Sequence, residues 1–321
     1  MKSRWVKALR WLSTLALGAL VAYSIDGEAL RRALVSIDEA ALVQALGFTL
    51  LTPLLGAYRF RRALARLDQH PPFAALLADL LVASAYNLVL PTSMGGDVVR
   101  AARCRTRVEQ PSLGYACILY ERALGLFLLA AAGAGGALSV IRIGDSTLLA
   151  VAVLFGVATW FLFRRLGTLL SLFAGVFSAW PRFSAALGST GGAMTGPLSS
   201  GRAALDVGFW SLAYQLSNLS ILAVVAASFG EARWASAVYL GVPLALVISA
   251  LPITIGGFGL RESLFVTVLG AYGFSSEHAL LLALLWVASS AVLALLGIAV
   301  LLHERLFPKG VNAERAIVAD G

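Results

Sequence analysis

The chain has 321 residues, of which 59% are hydrophobic and 13% charged, with a formal net charge of +8 and a mean hydropathy of +0.84. Soluble domains carry about 25% charged and about 45–50% apolar residues, so the composition excludes an ordinary soluble protein, and with it disorder and collagen-like repeats. Cys104 and Cys117 are too few for a disulfide framework. What remains is an all-α polytopic membrane protein, read as a single membrane domain over residues 1–321.

Nearly all the basic residues are arginine. In a soluble chain that balance points to nucleic acid. In a membrane chain it points to cytoplasmic loops that set orientation, so no nucleic-acid partner is expected.

A membrane helix needs about 20 mostly apolar residues. The first such stretch runs from Trp11 to about Ile25, behind Lys2, Arg4, Lys7 and Arg10. It lacks a small-x-small cleavage site and reads as an uncleaved first span with a cytoplasmic N-terminus. An acidic loop (Asp26 to Glu39) suits the outside. A second span, about Ala41 to Tyr58, ends at Arg59, Arg61, Arg62 and Arg66, which read as orientation charges.

The stretch from Phe73 to Gly96 enters and leaves through basic loops and contains Asn87, Pro91, Gly95 and Gly96. Pro and Gly pairs interrupt a helix, so this segment reads as a re-entrant hairpin. Spans follow at about 113–140 and 148–163. Residues 166–203, rich in Gly and Ser, read as a cytoplasmic interfacial loop. After a span at 204–229, residues 234–272 form a second broken hairpin around Pro252, Gly256 and Gly257. The last span, about 278–302, ends at His303, Arg305 and Lys309. The tail over 308–321 reads as disordered. This gives about six spanning helices plus two broken hairpins, with both termini cytoplasmic.

The hairpins share a motif. Leu90 to Arg100 and Leu251 to Arg261 both fit Leu-Pro-x-[Ser/Thr]-[Met/Ile]-Gly-Gly-x-x-x-Arg without a gap, at an offset of 161 residues. The same offset carries 41–58 onto 202–219 and 113–140 onto 274–301, both expected spans. Loop charges orient the halves, about 10–141 and 147–303, in opposite senses. The pattern is an inverted-topology internal repeat, a feature of secondary transporters.

Each proline removes a backbone donor, and each glycine pair frees the backbone from helical geometry. Non-helical backbone at membrane depth must be buried in protein or line a wet cavity. The freed amides and a following half-helix suit an anion, and Arg100 and Arg261, one turn on, add a guanidinium fork that matches phosphate. The candidate ligand-binding set is Asn87, Pro91, Ser93, Gly95, Gly96, Asp97, Arg100, Glu121 and Arg122 in the first half. In the second it is Pro252, Thr254, Gly256, Gly257, Arg261 and Glu262. Asp79 is a further embedded charge. Such charges pair and face the protein interior. Neighbours in a helix do not face each other, so the expected ties are Glu121 with Arg261, and Arg122 with Glu262 or Asp97. Tyr214, Gln215 and Asn218 share a face, as polar glue between helices or as cavity lining. No His/Cys or Asp-rich metal motif is present, so no metal or cofactor is expected.

Asn87-x-x-x-Pro91, Gly96-Asp97-x-x-Arg100, Glu121-Arg122 and Pro252-x-x-x-Gly256-Gly257-x-Gly259-x-Arg261-Glu262, in that order, resemble the lysylphosphatidylglycerol synthase transmembrane, or flippase-like, family. The resemblance covers roughly residues 10–305. In the multiple peptide resistance factors of that family, the membrane domain flips an aminoacylated phospholipid made by a cytosolic domain. The longest stretch outside the spans here, 166–203, is too short for such a domain, so the resemblance implies the stand-alone form in a prokaryotic cytoplasmic (inner) membrane. Other relatives are associated with glycosyltransferases and polyprenyl-linked sugars.

The leading expectation is a translocase for an anionic lipid, phospholipid or polyprenyl-phosphate sugar, held between the two hairpins, rather than an enzyme. The alternatives are an intramembrane lipid-phosphate enzyme using Asp97 and Glu121, and a non-transporting membrane partner of a glycosyltransferase or other lipid-modifying enzyme. The sequence leaves the oligomeric state open.

Overall fold

The protein is described from a computed structural model, which covers residues 27–89, 95–140, 165, 167–168, 188–192, 194–196, 198, 200–230, 233–250, 254 and 257–307. The expected spans at 11–25 and 148–163, the apex residues Pro91, Ser93, Pro252 and Gly256, most of the 166–203 loop and the tail lie outside the described residues.

The described residues form helices α1 (Gly27–Val35), α2 (Glu39–Ala65), α3 (Phe73–Val89), α4 (Gly95–Cys104), α5 (Pro111–Val140), α6 (Gly201–Ala227), α7 (Arg233–Ser249), α8 (Leu260–Gly270) and α9 (Ser276–Leu306), with no strand among them. Four of these, α2, α5, α6 and α9, are long and apolar enough to cross a membrane. At 1.5 Å per residue even the 27-residue α2 and α6 extend about 40 Å, more than the ~30 Å of a hydrocarbon core. The chain is an integral membrane protein.

Two differences from the sequence reading concern helix ends. Residues Gly27–Val35, expected in a loop, form α1, which buries Ala33 and leaves Glu28, Arg31 and Arg32 exposed. It is amphipathic and lies along α9. The second span does not stop at Tyr58, because α2 continues to Ala65 and carries its arginines within the helix. Its start is fixed by Asp38, whose carboxylate accepts the Ala40 amide at 3.2 Å. Ser200 and Ser275 cap α6 and α9 in the same manner, each satisfying an amide that a helix start leaves free.

A helix pair lies at each expected hairpin, and Arg100 and Arg103, expected in a basic loop, stand inside α4. The 17-residue α3 packs against the 10-residue α4, and the 17-residue α7 against the 11-residue α8. Contacts elsewhere recur at the 161-residue offset. Helix α9 packs on α3, and α5 packs on α7. Gly297 of α9 sits where a Cβ would collide with the Leu81 carbonyl, and Gly136 of α5, 161 residues earlier, where one would collide with the Leu240 carbonyl. Small residues at such crossings let membrane helices approach backbone to backbone.

Helices α2 and α6 pack on each other along their length. Thr52 bonds Ser217 at 2.9 Å, Gly56 lies against the Tyr214 ring, and Arg62 bonds Asp206 at 2.8 Å. Rising numbers on α2 meet falling numbers on α6, so the two helices are antiparallel. Buried apolar residues gather in two clusters. One joins α6 to α9, with Ala41 and Ala45 of α2. The other joins α2, α3, α4 and α5, with Met194, Leu198 and Val207.

Candidate functional site

Between α2, α3, α4, α5 and α6, touched by Leu293 of α9, lies a cavity of about 160 Å³. Its lining mixes apolar side chains, among them Pro53, Leu80, Ile118, Leu126 and Leu129, with Arg59, Asn87, Asp97, Arg100, Glu121, Arg122, Tyr214 and Gln215. These residues stand on helices set by the packing above, so the charged groups are held by rigid elements.

Glu121, 1% exposed, is the hub. Its Oε1 accepts from Arg59 Nε at 2.9 Å and its Oε2 from Arg100 Nη1 at 3.1 Å. Arg59 lies over the Tyr214 ring at 4.4 Å, and Arg100 over the Phe60 ring at 3.8 Å. Stacking on a ring face fixes a guanidinium plane and adds cation–π attraction. A buried charge is costly unless paired, and removing one partner of such a pair costs about 3–5 kcal/mol.

Arg100 is incompletely paired. Its Nε and Nη2 are buried and bond nothing among the described residues. These two nitrogens form one edge of the guanidinium, a two-donor fork of the geometry that carboxylates and phosphates accept. Its neighbour pair is more open: Arg122 Nε donates to Asp97 Oδ2 at 2.6 Å, with the Arg122 side chain 47% exposed.

The structure thus brings together Asn87, Asp97, Arg100, Glu121 and Arg122 from the expected first-half set. It corrects two expectations there. Glu121 pairs with Arg59 and Arg100, not with Arg261, because α2 and α4 flank α5 at that level. The Gly96 amide is not free for an anion: it donates to Asn87 Oδ1 at 2.7 Å. Gly96 is needed instead for close packing, since a Cβ would collide with the Ala83 carbonyl. Gly95, also buried in the first turn of α4, does not line the cavity.

The second hairpin is built differently. Glu262 folds back on its own helix start, accepting the Gly259 amide at 2.6 Å and Arg261 Nη2 at 2.8 Å. Arg261 and Glu262 therefore pair with each other, against the expectation of partners on other helices. At the first turn of a helix a long side chain can curl round its end, where the mid-helix spacing rule does not apply. Gly257 and Gly259 both have φ of +78°, a left-handed conformation that only glycine adopts at little cost. Thr254 Oγ1 and Arg261 Nε are buried without partners among the described residues. Thr254, Gly257, Arg261 and Glu262 do not line the cavity, so the two hairpins do not share one site there.

Arg59 is the residue the sequence reading missed. The sequence marks it only as an orientation charge at a span end, yet it is 7% exposed inside α2. The available signal was spacing: Thr52, Gly56 and Arg59 fall on one helical face. Tyr214 and Gln215 resolve towards cavity lining, with Gln215 also donating to the Gly125 carbonyl at 3.1 Å. Asn218 bonds within its own helix, to the Tyr214 carbonyl. Asp79, fully buried, is paired with Arg103 and Arg107, each at 2.7 Å, and Arg103 extends the pair to Glu304 of α9.

The profile of the family described as "Lysylphosphatidylglycerol synthase TM region" matches residues 9–297, nearly the whole chain and every residue of the cavity. The chain belongs to this family. No curated protein matches it. As a lysylphosphatidylglycerol synthase TM region it is a membrane domain of a family involved in lipid handling.

Proposed function

We propose that this membrane domain translocates an anionic lipid between leaflets, with the headgroup phosphate taken up in the cavity at Arg100. The supporting observation is the buried Nε/Nη2 edge of Arg100, unpartnered among the described residues while its Nη1 is held by Glu121. A buried unsatisfied donor costs free energy, and a ligand that accepts from it recovers that cost. The cavity is large enough for a phosphate group and too small for acyl chains, which suits tails left in the surrounding bilayer. Translocation is favoured over lipid-phosphate chemistry because both carboxylates of the site are already held by arginines.

We infer an inverted-topology repeat as the frame for this movement. The antiparallel packing of α2 on α6, which correspond at the 161-residue offset, supports it, as do the matched crossings at Gly136 and Gly297. Rocking of one half against the other is the motion such repeats perform. The arginines at the ends of α2 and α4, with His303 and Arg305 at the end of α9, support a cytoplasmic placement of that face in an inner membrane.

The test is reconstitution of the protein into liposomes with a fluorescent anionic lipid. The wild type should speed its equilibration between leaflets, and Arg100→Ala should not. Equal rates for Arg100→Ala and wild type would refute the reading.

A further inference from the structure

The cavity's charge says more than that its ligand is an anion. Among the described residues three guanidinium groups line it, Arg59, Arg100 and Arg122, with two carboxylates, Glu121 and Asp97. The sum is one positive charge. It resides at Arg100, which shares Glu121 with Arg59 and keeps two buried donors unpartnered among the described residues. Arg122 would be a second free cation if Asp97 did not hold it at 2.6 Å. Asp97 stands one helical turn before Arg100 on α4, so it acts on the same side of the site.

We propose that the site is matched to a singly charged phosphodiester, and that Asp97 is the residue that sets this limit by neutralising Arg122. The proposal rests on the lipid-binding reading above. A phosphodiester places two oxygens on the Arg100 edge and leaves the cavity neutral. A fully ionised phosphomonoester, or a diphosphate, brings at least one more negative charge. That extra charge finds no free counter-ion among the described lining residues, whose other charges are paired with one another, and buried charge without a partner is strongly disfavoured. Removing the Asp97 charge while keeping its shape releases Arg122 and raises the site to two positive charges, which suits the dianion.

The test measures binding of two lipids with identical acyl chains to the purified full chain in nanodiscs: phosphatidylglycerol, a phosphodiester, and phosphatidic acid, a phosphomonoester. At pH 8.5 the latter carries close to two charges. The wild type should prefer phosphatidylglycerol by about tenfold or more. Asp97→Asn should abolish or reverse that preference, chiefly by gaining phosphatidic acid. Asp97→Glu, which keeps the charge, should retain the wild-type order and controls for folding. Equal or tighter binding of phosphatidic acid by the wild type overturns the proposal, as does an unchanged preference in Asp97→Asn. Binding of neither lipid above phosphatidylcholine would instead overturn the lipid-binding reading itself.

Discussion

The two halves of this chain share a framework and differ in what fills it. At the 161-residue offset, Arg59 of the first half corresponds to Ser220, Asn87 to Ile248, Asp97 to Phe258, Glu121 to Leu282 and Arg122 to Ala283. Leu282 and Ala283 are fully buried in the apolar cluster of α6 to α9. Where the first half sets Glu121 and Arg122 on the cavity, the second has packed core at Leu282 and Ala283, while Phe258, the counterpart of Asp97, is exposed. Arg100 and Arg261 are the retained pair, yet Arg261 finds its carboxylate next door, at Glu262, a position that corresponds to Ala101. On the proposed reading, the repeat specifies the framework twice, while the anion site is built once.

The sharpest way to break this comparison is to give the first half the chemistry of the second. Glu121→Leu alone should lower stability by about 3–5 kcal/mol, since Arg59 and Arg100 lose their shared carboxylate. Adding Arg59→Ser should recover part of that loss but not anion binding. Thermal unfolding in detergent, with phosphatidylglycerol binding on the same samples, reads both effects.

The shared framework predicts equal sensitivity at matched crossings. Gly136→Ala and Gly297→Ala each force a Cβ into a facing backbone carbonyl, and each should cost about 1–3 kcal/mol. A large cost at one and none at the other would show that the halves are not packed alike. At the hairpins, Asn87→Ala leaves the buried Gly96 amide without its acceptor and should cost about 1–3 kcal/mol. The smallest effect is expected at Asp206, whose partners Arg62 and Arg66 are partly exposed. Asp206→Asn should cost no more than about 1 kcal/mol in unfolding measurements.

Much of the fold was legible because membrane solvent imposes a simple rule. Long apolar runs become α2, α5, α6 and α9, and Pro with a glycine pair marks each hairpin. The repeated motif showed that Arg100 and Arg261 occupy like positions. It did not show that their surroundings differ, because partners come from distant helices. Arg59 looked like an orientation charge at a span end because hydropathy falls at Tyr58, while helix α2 continues for another two turns. Arg261 and Glu262 were expected to reach other helices, and a rule for helix interiors failed at a helix start. The Gly96 amide looked free until Asn87, one turn from the end of α3, was seen to take it.

The central claim is a single anion site, at Arg100 and not at Arg261. Cryo-electron microscopy of the protein in nanodiscs containing phosphatidylglycerol tests it most directly. The account predicts headgroup density within hydrogen-bond distance of Arg100 Nε and Nη2, and none at Arg261. Density at Arg261 and Gly257 with an empty cavity at Arg100 would contradict it.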